Sequence, residues 1–400
     1  MFNRRHFTSL LGSLAATGSM AGSGPAPDHA VKRLHPGEDE ASLLGVELNR
    51  LSSPTAKRLR IGFGSCAKQS KPQPIWTHIR QQKPELFLFM GDNFYADART
   101  EETLKARYEE FRAVSALQRF RDDVPHLATW DDHDFGDDDV GGEYAPKALS
   151  QQLFCDEWKE PPQSPRRSRQ GIYQAYWLNS GGRRVQVLML DLRFNRTPLV
   201  ADPAKHSGYH EMVKRAQETG GEMAGWYVPN PDPQATMLGE AQWAWLSYQL
   251  QQPADLRILV SSVQLAAEGT GWEGWSNFPH DRQRLLALIR QHRADGLVVL
   301  SGDMHYADIS CWTEGAPYPI WDATSSGLTE VWPIPTPNRQ RRSKVLADRN
   351  FGMLDIDWSG RDPVVAMNIH DGQGQLRLSQ TLRLSQLRCP SPADREARRT

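Results

Sequence analysis

The run Trp130-Asp131-Asp132-His133-Asp134 opens a stretch that reaches Pro146 with Asp131, Asp132, Asp134, Asp137, Asp138, Asp139 and Glu143 and no lysine or arginine. Carboxylates this close together raise one another's pKa unless a cation sits among them. The stretch is therefore either a solvated acidic face or a loop that holds metal. It is not an EF-hand, because Gly136 arrives too early and no Glu closes a loop of the required pattern. Asp134-Phe135-Gly136 is not a kinase element either, since no matching Gly-rich loop or strand lysine precedes it. Two features favour metal: His133 lies inside the run, and the run follows an apolar stretch at 125–129 that reads as a strand.

Similar groups recur. Apolar strand-like runs end at Cys66, at Asp92 with Tyr95, at Asp191 with Arg193, at Gln264, and at Asp303 with His305. In open α/β sheets, ligands sit beyond the carboxyl ends of the strands, so residues far apart in sequence can converge there. Each residue alone has a plain structural alternative. Cys66 could be a buried thiol, Tyr95 a packed ring, His305 a satisfied core histidine, and Asp191 with Arg193 a surface ion pair. Gln264 is the weakest candidate. Solvation alone gives no reason to repeat the arrangement in order along the chain. A site with Asp, His, Tyr and Cys ligands suits a strongly Lewis-acidic transition metal, because tyrosine has a free pKa of about 10 and the thiolate of Cys66 disfavours a pure Mg or Ca site. The surplus of aspartates suits a second, oxygen-loving cation. A two-metal centre of this kind acts on phosphoryl groups. His133 would then serve as general acid or as donor to a phosphate oxygen, and Arg193 as a bidentate phosphate clamp.

The elements that must position these residues follow from periodicity. Strands are expected at 58–63, 86–90, 126–130 and 256–260, at 297–300, and as a pair at 173–178 and 185–190 joined by Ser180-Gly181-Gly182. Helices are expected at 74–82, 101–114, 147–158, 240–251 and 281–292. A late set of strands fills 309–313, 318–323, 351–358, 364–369 and 376–382. Alternating strands and helices imply parallel sheet, the late set implies antiparallel sheet, and an α/β two-sheet sandwich with helices outside holds both. Residues 195–238 read as a long irregular insertion of the kind that shapes a pocket.

The chain has 400 residues, 39% hydrophobic and 24% charged, with a net charge of -1, which fits a globular protein and carries no nucleic-acid signature. Four scattered cysteines allow one disulfide among Cys155, Cys311 and Cys389. Asn3-Arg4-Arg5-His6-Phe7, a mild apolar run and small residues resemble a twin-arginine signal peptide at 1–26, so the protein is expected to use the twin-arginine export machinery and to be periplasmic or secreted. A basic terminus without that role is the alternative. The apolar run is too short to span a bilayer, and no other candidate span exists. A linker with one short helix near 43–51 is expected at 27–56, the domain at 57–388, and a polar tail at 389–400.

The stretches Gly64-Ser65-Cys66, Gly91-Asp92-Asn93-Phe94-Tyr95-Ala96-Asp97, Trp130-Asp131-Asp132-His133-Asp134, Asp191-Leu192-Arg193, Ser262-Val263-Gln264 and Ser301-Gly302-Asp303-Met304-His305 together resemble the alkaline phosphatase D (PhoD-like) family, within the calcineurin-like metallophosphatases. The resemblance covers roughly 58–370. It implies a four-layer α/β/β/α sandwich of two mixed sheets and hydrolysis of small-molecule or polymeric phosphate esters at an iron–calcium centre, binuclear or larger. Cys66, Asp92, Tyr95 and His305 would lie on the iron side, with Asp92 bridging and Asp132 and Asp303 on the calcium side. Asp134 departs from the more usual Glu. Two alternatives stand beside this reading. One is a phospholipase D-like diesterase that admits a lipid or polymer through the loops around Trp272 and Trp275. The other is a non-catalytic exported metal or phosphate binder, which would need the carboxylates but not His133 or Arg193.

Overall fold

The computed structural model describes residues 43–204 and 209–390. The expected signal segment, the first part of the linker and residues 391–400 of the tail lie outside them. Alternation along one strand shows how the layers are built. Every residue of β3 (Leu86–Met90) is buried, and successive side chains serve opposite faces. Leu86, Leu88 and Met90 enter the core between two sheets. Phe87 and Phe89 enter an aromatic cluster beneath α1 (Ile75–Gln81) and α3 (Ser115–Asp123), where the Trp76 and Phe120 rings lie 4.9 Å apart. Truncating such a ring to alanine costs about 3–5 kcal/mol.

Among the described residues, β3 belongs to a six-stranded sheet in the order β15 (Leu376–Arg383), β14 (Val364–Asp371), β13 (Asn350–Asp357), β2 (Arg58–Gly64), β3, β4 (His126–Thr129). β2, β3 and β4 run parallel, and β13 to β15 form an antiparallel meander against β2. The second sheet has seven strands in the order β1 (Val46–Glu47), β5 (Gln174–Ser180), β6 (Arg183–Met189), β9 (Leu256–Ser261), β10 (Leu297–Ser301), β12 (Ile320–Ser325), β11 (Ala307–Trp312). Its parallel centre is β6, β9, β10 and β12. Trp243, Leu246 and Leu250 of α7 (Glu240–Gln251) and Leu285 and Ile289 of α8 (Pro279–His292) share the core cluster of this sheet. On the other side, α1, α2 (Glu101–Ala113), α3 and α5 (Lys147–Glu157) cover the first sheet through the second cluster. The result is the expected four-layer α/β/β/α sandwich. Among the described residues, no helix is long and apolar enough to cross a membrane.

Four local expectations change. The helix near 43–51 is instead strand β1, whose Val46 and Glu47 pair in parallel with Tyr176 and Trp177. Leu48 N and Ser53 N also donate to Trp177 O and Asn179 O, so the free edge of β5 outcompetes local helix propensity and the fold begins before residue 57. Helix α3 adds to the expected helices: Val114 ends one helical run, and a second starts at Ser115. Residues 195–238 are not wholly irregular: they carry β7 (Val200–Ala201), α6 (Tyr209–Thr219) and β8 (Tyr227–Val228). Finally, Cys155, Cys311 and Cys389 are free. Cys155 lies in the helix-side cluster and Cys389 in the main core, so the disulfide that the sequence leaves possible is not formed.

Candidate metal centre

The parallel strands deliver their C-terminal ends to one region, and the backbone there bends sharply. Cys66 follows β2, Asp92 follows β3, Asp131 and Asp132 follow β4, and Asp303 and His305 follow β10. Cys66, Asp92, Asp97, Asp303 and His305 all have positive φ, between 46° and 73°. Such conformations cost of order 1–3 kcal/mol each for residues other than glycine and cluster where geometry serves function. Two glycines let the turns meet. A Cβ on Gly91 (φ +102°) would lie 2.7 Å from Asp131 N, and one on Gly302 would lie 2.5 Å from Ser65 Oγ. Asp134, fully buried, ties two loops together by accepting from Asp92 N, Asn93 N, Asn93 Nδ2 and Asp131 N. It is a backbone clamp, as is Asp191, which accepts from Trp130 Nε1, Ile172 N, Arg193 N and Phe194 N.

Side chains from these turns form linked groups. Sγ of Cys66, a carboxylate oxygen of Asp92 and a ring nitrogen of His305 all lie within 4.8 Å of one another. Tyr95 joins them, with its hydroxyl 2.9 Å from His305 Nε2 and 3.3 Å from Asp92 Oδ2. Asp92, Asp132 and His133 form a second such group, Asp131, Asp132 and Asp303 a third, and Asp132, Asp139 and Glu273 a fourth. Asp92 and Asp132 are thus shared, and they link a soft-donor side to an all-oxygen side. A cavity of about 400 Å³ opens onto the groups, lined by Asp132, His133, Glu273, Asp303 and His305 among others.

The electrostatics call for cations. Asp92 Oδ1, Asp131 Oδ2 and Asp132 Oδ1 are buried and accept no hydrogen bond. Burial, reinforced by neighbouring acids, holds Asp92 and Asp303 well above the carboxylate range, and burial lifts Asp131 to about 7 even beside Arg193. Burial also pushes up the Cys66 thiol and the Tyr95 phenol and pushes the His305 imidazole down to about 4. A buried anion without a partner costs several kcal/mol, and metal ligation offsets that cost while favouring thiolate, phenolate and neutral imidazole. The donor set present therefore fits a metal centre.

His133 stands apart from the other histidine. Its Nδ1 is 2.5 Å from Asp97 Oδ1, which orients the ring, and its Nε2 is 3.7 Å from Asp138 Oδ1. Burial disfavours charge on it, but Asp132, Asp92 and Asp97 outweigh burial and raise it to about 11. Its ring also packs on Tyr95 at 4.2 Å between centroids.

Two expected site residues sit differently. Arg193 follows its strand as a phosphate clamp would, yet it is fully buried and does not line the cavity. Its Nε donates to Asp131 Oδ1 at 2.6 Å and its Nη1 to Glu273 Oε1 at 2.9 Å, so it holds acids in place. Gln264 hydrogen-bonds through Nε2 to Asp308 and Thr324 rather than to the acids of the site. Conversely, Asp97, Asp131, Asp139 and Glu273 enter the arrangement without having been singled out. The first three lie in stretches already marked as chemical. Glu273 sits between Trp272 and Trp275, in a loop marked for its tryptophans and not for its acid.

Comparison with known proteins places the chain in a family. A curated protein, Alkaline phosphatase D of Bacillus subtilis (strain 168), is 21% identical over 289 residues, covering 62% of this chain and 46% of that protein. The chain thus spans about half the length of that relative. A solved structure described as "Structure of PhoD" superposes with a TM-score of 0.60 at 15% identity, covering 81% of this chain and 72% of that one, which supports the fold. The family model of the PhoD-like phosphatases matches residues 61–349, the span from which every side chain of the four groups comes, and the chain belongs to that family.

Proposed function

We propose that this chain is an exported, metal-dependent phosphoesterase. The observation that carries the reading is the meeting of Cys66, Asp92, Tyr95 and His305 from three strand ends, joined through Asp92 to Asp132 and His133. Cys66, Tyr95, Asp92 and His305 would hold iron, and Asp131, Asp132 and Asp303 would hold calcium; the softer donors favour the harder-working Lewis acid and the all-oxygen set the larger cation. When bound, the cations neutralise phosphate charge and make water nucleophilic at neutral pH.

The protein's own residues do the rest. Asp97 fixes the tautomer and orientation of His133 through Nδ1, which leaves Nε2 on the cavity side to donate a proton to the departing alcohol oxygen. Arg193 pairs with Asp131 and Glu273 and holds both in register, so the oxygen-donor side is preorganised. The twin-arginine pattern at Arg4-Arg5 supports export in folded form, which suits a protein that binds its metals before or during folding.

The test is metal analysis of natively exported protein with assays on a phosphomonoester and a phosphodiester, iron and calcium supplied. Retained metal with hydrolysis of at least one substrate supports the reading; metal-loaded protein that hydrolyses neither refutes it. His133→Ala separates catalysis from binding. Unchanged turnover with retained metal would shift the reading toward a non-catalytic binder or a different proton donor.

A further inference from the structure

The cavity has two unlike walls. One carries the acids and histidines already described. The other is apolar, formed by Trp226, Trp272, Trp332 and Met304. We propose that this second wall is a subsite for a flat aromatic group on the alcohol side of the ester, of the size of a nucleoside base. The proposal rests on the phosphoesterase reading and narrows it to a substrate class.

Three observations carry it. First, the tryptophans arrive from three separate segments, the approach to β8, the loop after β9 and the loop after β12, and all three are only partly buried. Trp130, Trp243, Trp245 and Trp275, by contrast, are buried in the cores. Trp272 and Trp275 therefore have different tasks although two residues part them. Second, the wall is held rigid. The Trp226 and Trp272 rings meet edge to face at 4.8 Å, Trp272 Nε1 donates to Met223 O at 3.0 Å, and Trp332 N donates to His305 O at 2.7 Å. A small apolar cluster that includes Met223, Ala216 and Ile334 backs Trp272 and Trp332. Rings fixed before binding lose little entropy when a ligand stacks on them. Third, the segment that carries Trp226 reaches the acids directly, because Tyr227 donates from its hydroxyl to Asp139 Oδ2 at 2.5 Å. The aromatic wall is thus registered against the group where the phosphate would lie.

Size favours a compact flat group over a long acyl chain. About 400 Å³ must hold the phosphate as well as its substituent, and pockets for whole small ligands run from about 300 to 1,000 Å³. Crossed rings offer faces and edges to a planar π system, and each stacked base contributes a factor on the order of tenfold to a hundredfold in affinity.

The experiment compares kcat/KM for a nucleoside 5′-monophosphate, octyl phosphate and glycerol 3-phosphate on the metal-loaded enzyme. All three expel a primary alcohol, so leaving-group chemistry is matched. The nucleotide should exceed glycerol phosphate by about tenfold or more, mainly through KM. Trp226→Ala and Trp332→Ala should bring that ratio toward one, and Trp226→Tyr should restore much of it. A binding arm titrates the free nucleoside into chelator-treated wild-type protein and follows tryptophan fluorescence; saturable quenching is expected. Octyl phosphate preferred over the nucleotide overturns the aromatic reading in favour of an apolar chain. Equal rates for all three substrates, or nucleoside that fails to quench, overturn the subsite while leaving the phosphoesterase standing. Quenching with no hydrolysis of any ester does the reverse: it supports the subsite and sinks the enzymatic reading.

Discussion

Replacing Arg193 by methionine tests whether the acids are truly held by a desolvated cation. Arg193 has no exposed side-chain surface, and its partners Asp131 and Glu273 are almost as buried. Methionine keeps much of the volume and removes the charge. It leaves two buried carboxylates without their shared partner, and breaking a buried pair in this way costs about 3–5 kcal/mol. Thermal unfolding of chelator-treated protein should then fall by roughly 4–7 °C. Calcium should recover part of the loss, because a cation on Asp131 replaces one of the missing charges. The double variant Arg193→Met with Glu273→Gln should be less destabilised than the sum of the two single changes, since the acid removed is one that without Arg193 keeps only Arg196 Nη2, at 3.3 Å, as its cation. A single variant that melts within about 1 °C of the wild type would mean the pair is solvated and worth only what surface pairs are worth. Strict additivity in the double variant would refute the coupling itself.

Other expectations are equally direct. His133→Ala should lower kcat by about a hundredfold to ten-thousandfold with metal content retained, and Asp97→Asn should lower it less, because it disturbs only ring orientation; inductively coupled plasma analysis beside initial rates checks both. Iron-loaded protein should show a visible tyrosinate charge-transfer band that Tyr95→Phe abolishes, and a band that survives the substitution would remove Tyr95 from the iron side. Chelator-treated protein should lose stability as pH rises from about 4 to about 7. Burial places Asp131 and Asp134 near about 7 in the folded state, so the folded protein binds more protons than the unfolded chain across that window. His305, held down to about 4, opposes this trend below its unfolded value, but it is outnumbered by the acids. A melting temperature that climbs through the window in chelator would contradict the burial of those carboxylates.

Much of the centre could be read from the chain because its chemistry is concentrated at strand ends. An apolar run such as 86–90 must be a buried strand, and the polar residues after it must then emerge where parallel strands finish. That argument reaches Asp92, Asp132, Asp303 and His305 without coordinates, and the period of the apolar residues reaches the two sheets and most helices. It fails where pairing across distance outweighs local preference. Val46 and Glu47 become a strand because β5 has a free edge, and no local pattern records that edge. Arg193 follows its strand as a phosphate clamp would, but burial and the reach of its guanidinium to Asp131 and Glu273 turn it inward. Glu273, Asp97 and the three cavity tryptophans gain their places only when the loops fold over one another. Residue types and their order determine which donors are available and that they lie at strand ends. Which donor faces a cation, which faces an arginine and which faces the cavity is decided by tertiary packing, because electrostatic partnership depends on distance and burial, and neither is a property of sequence neighbours.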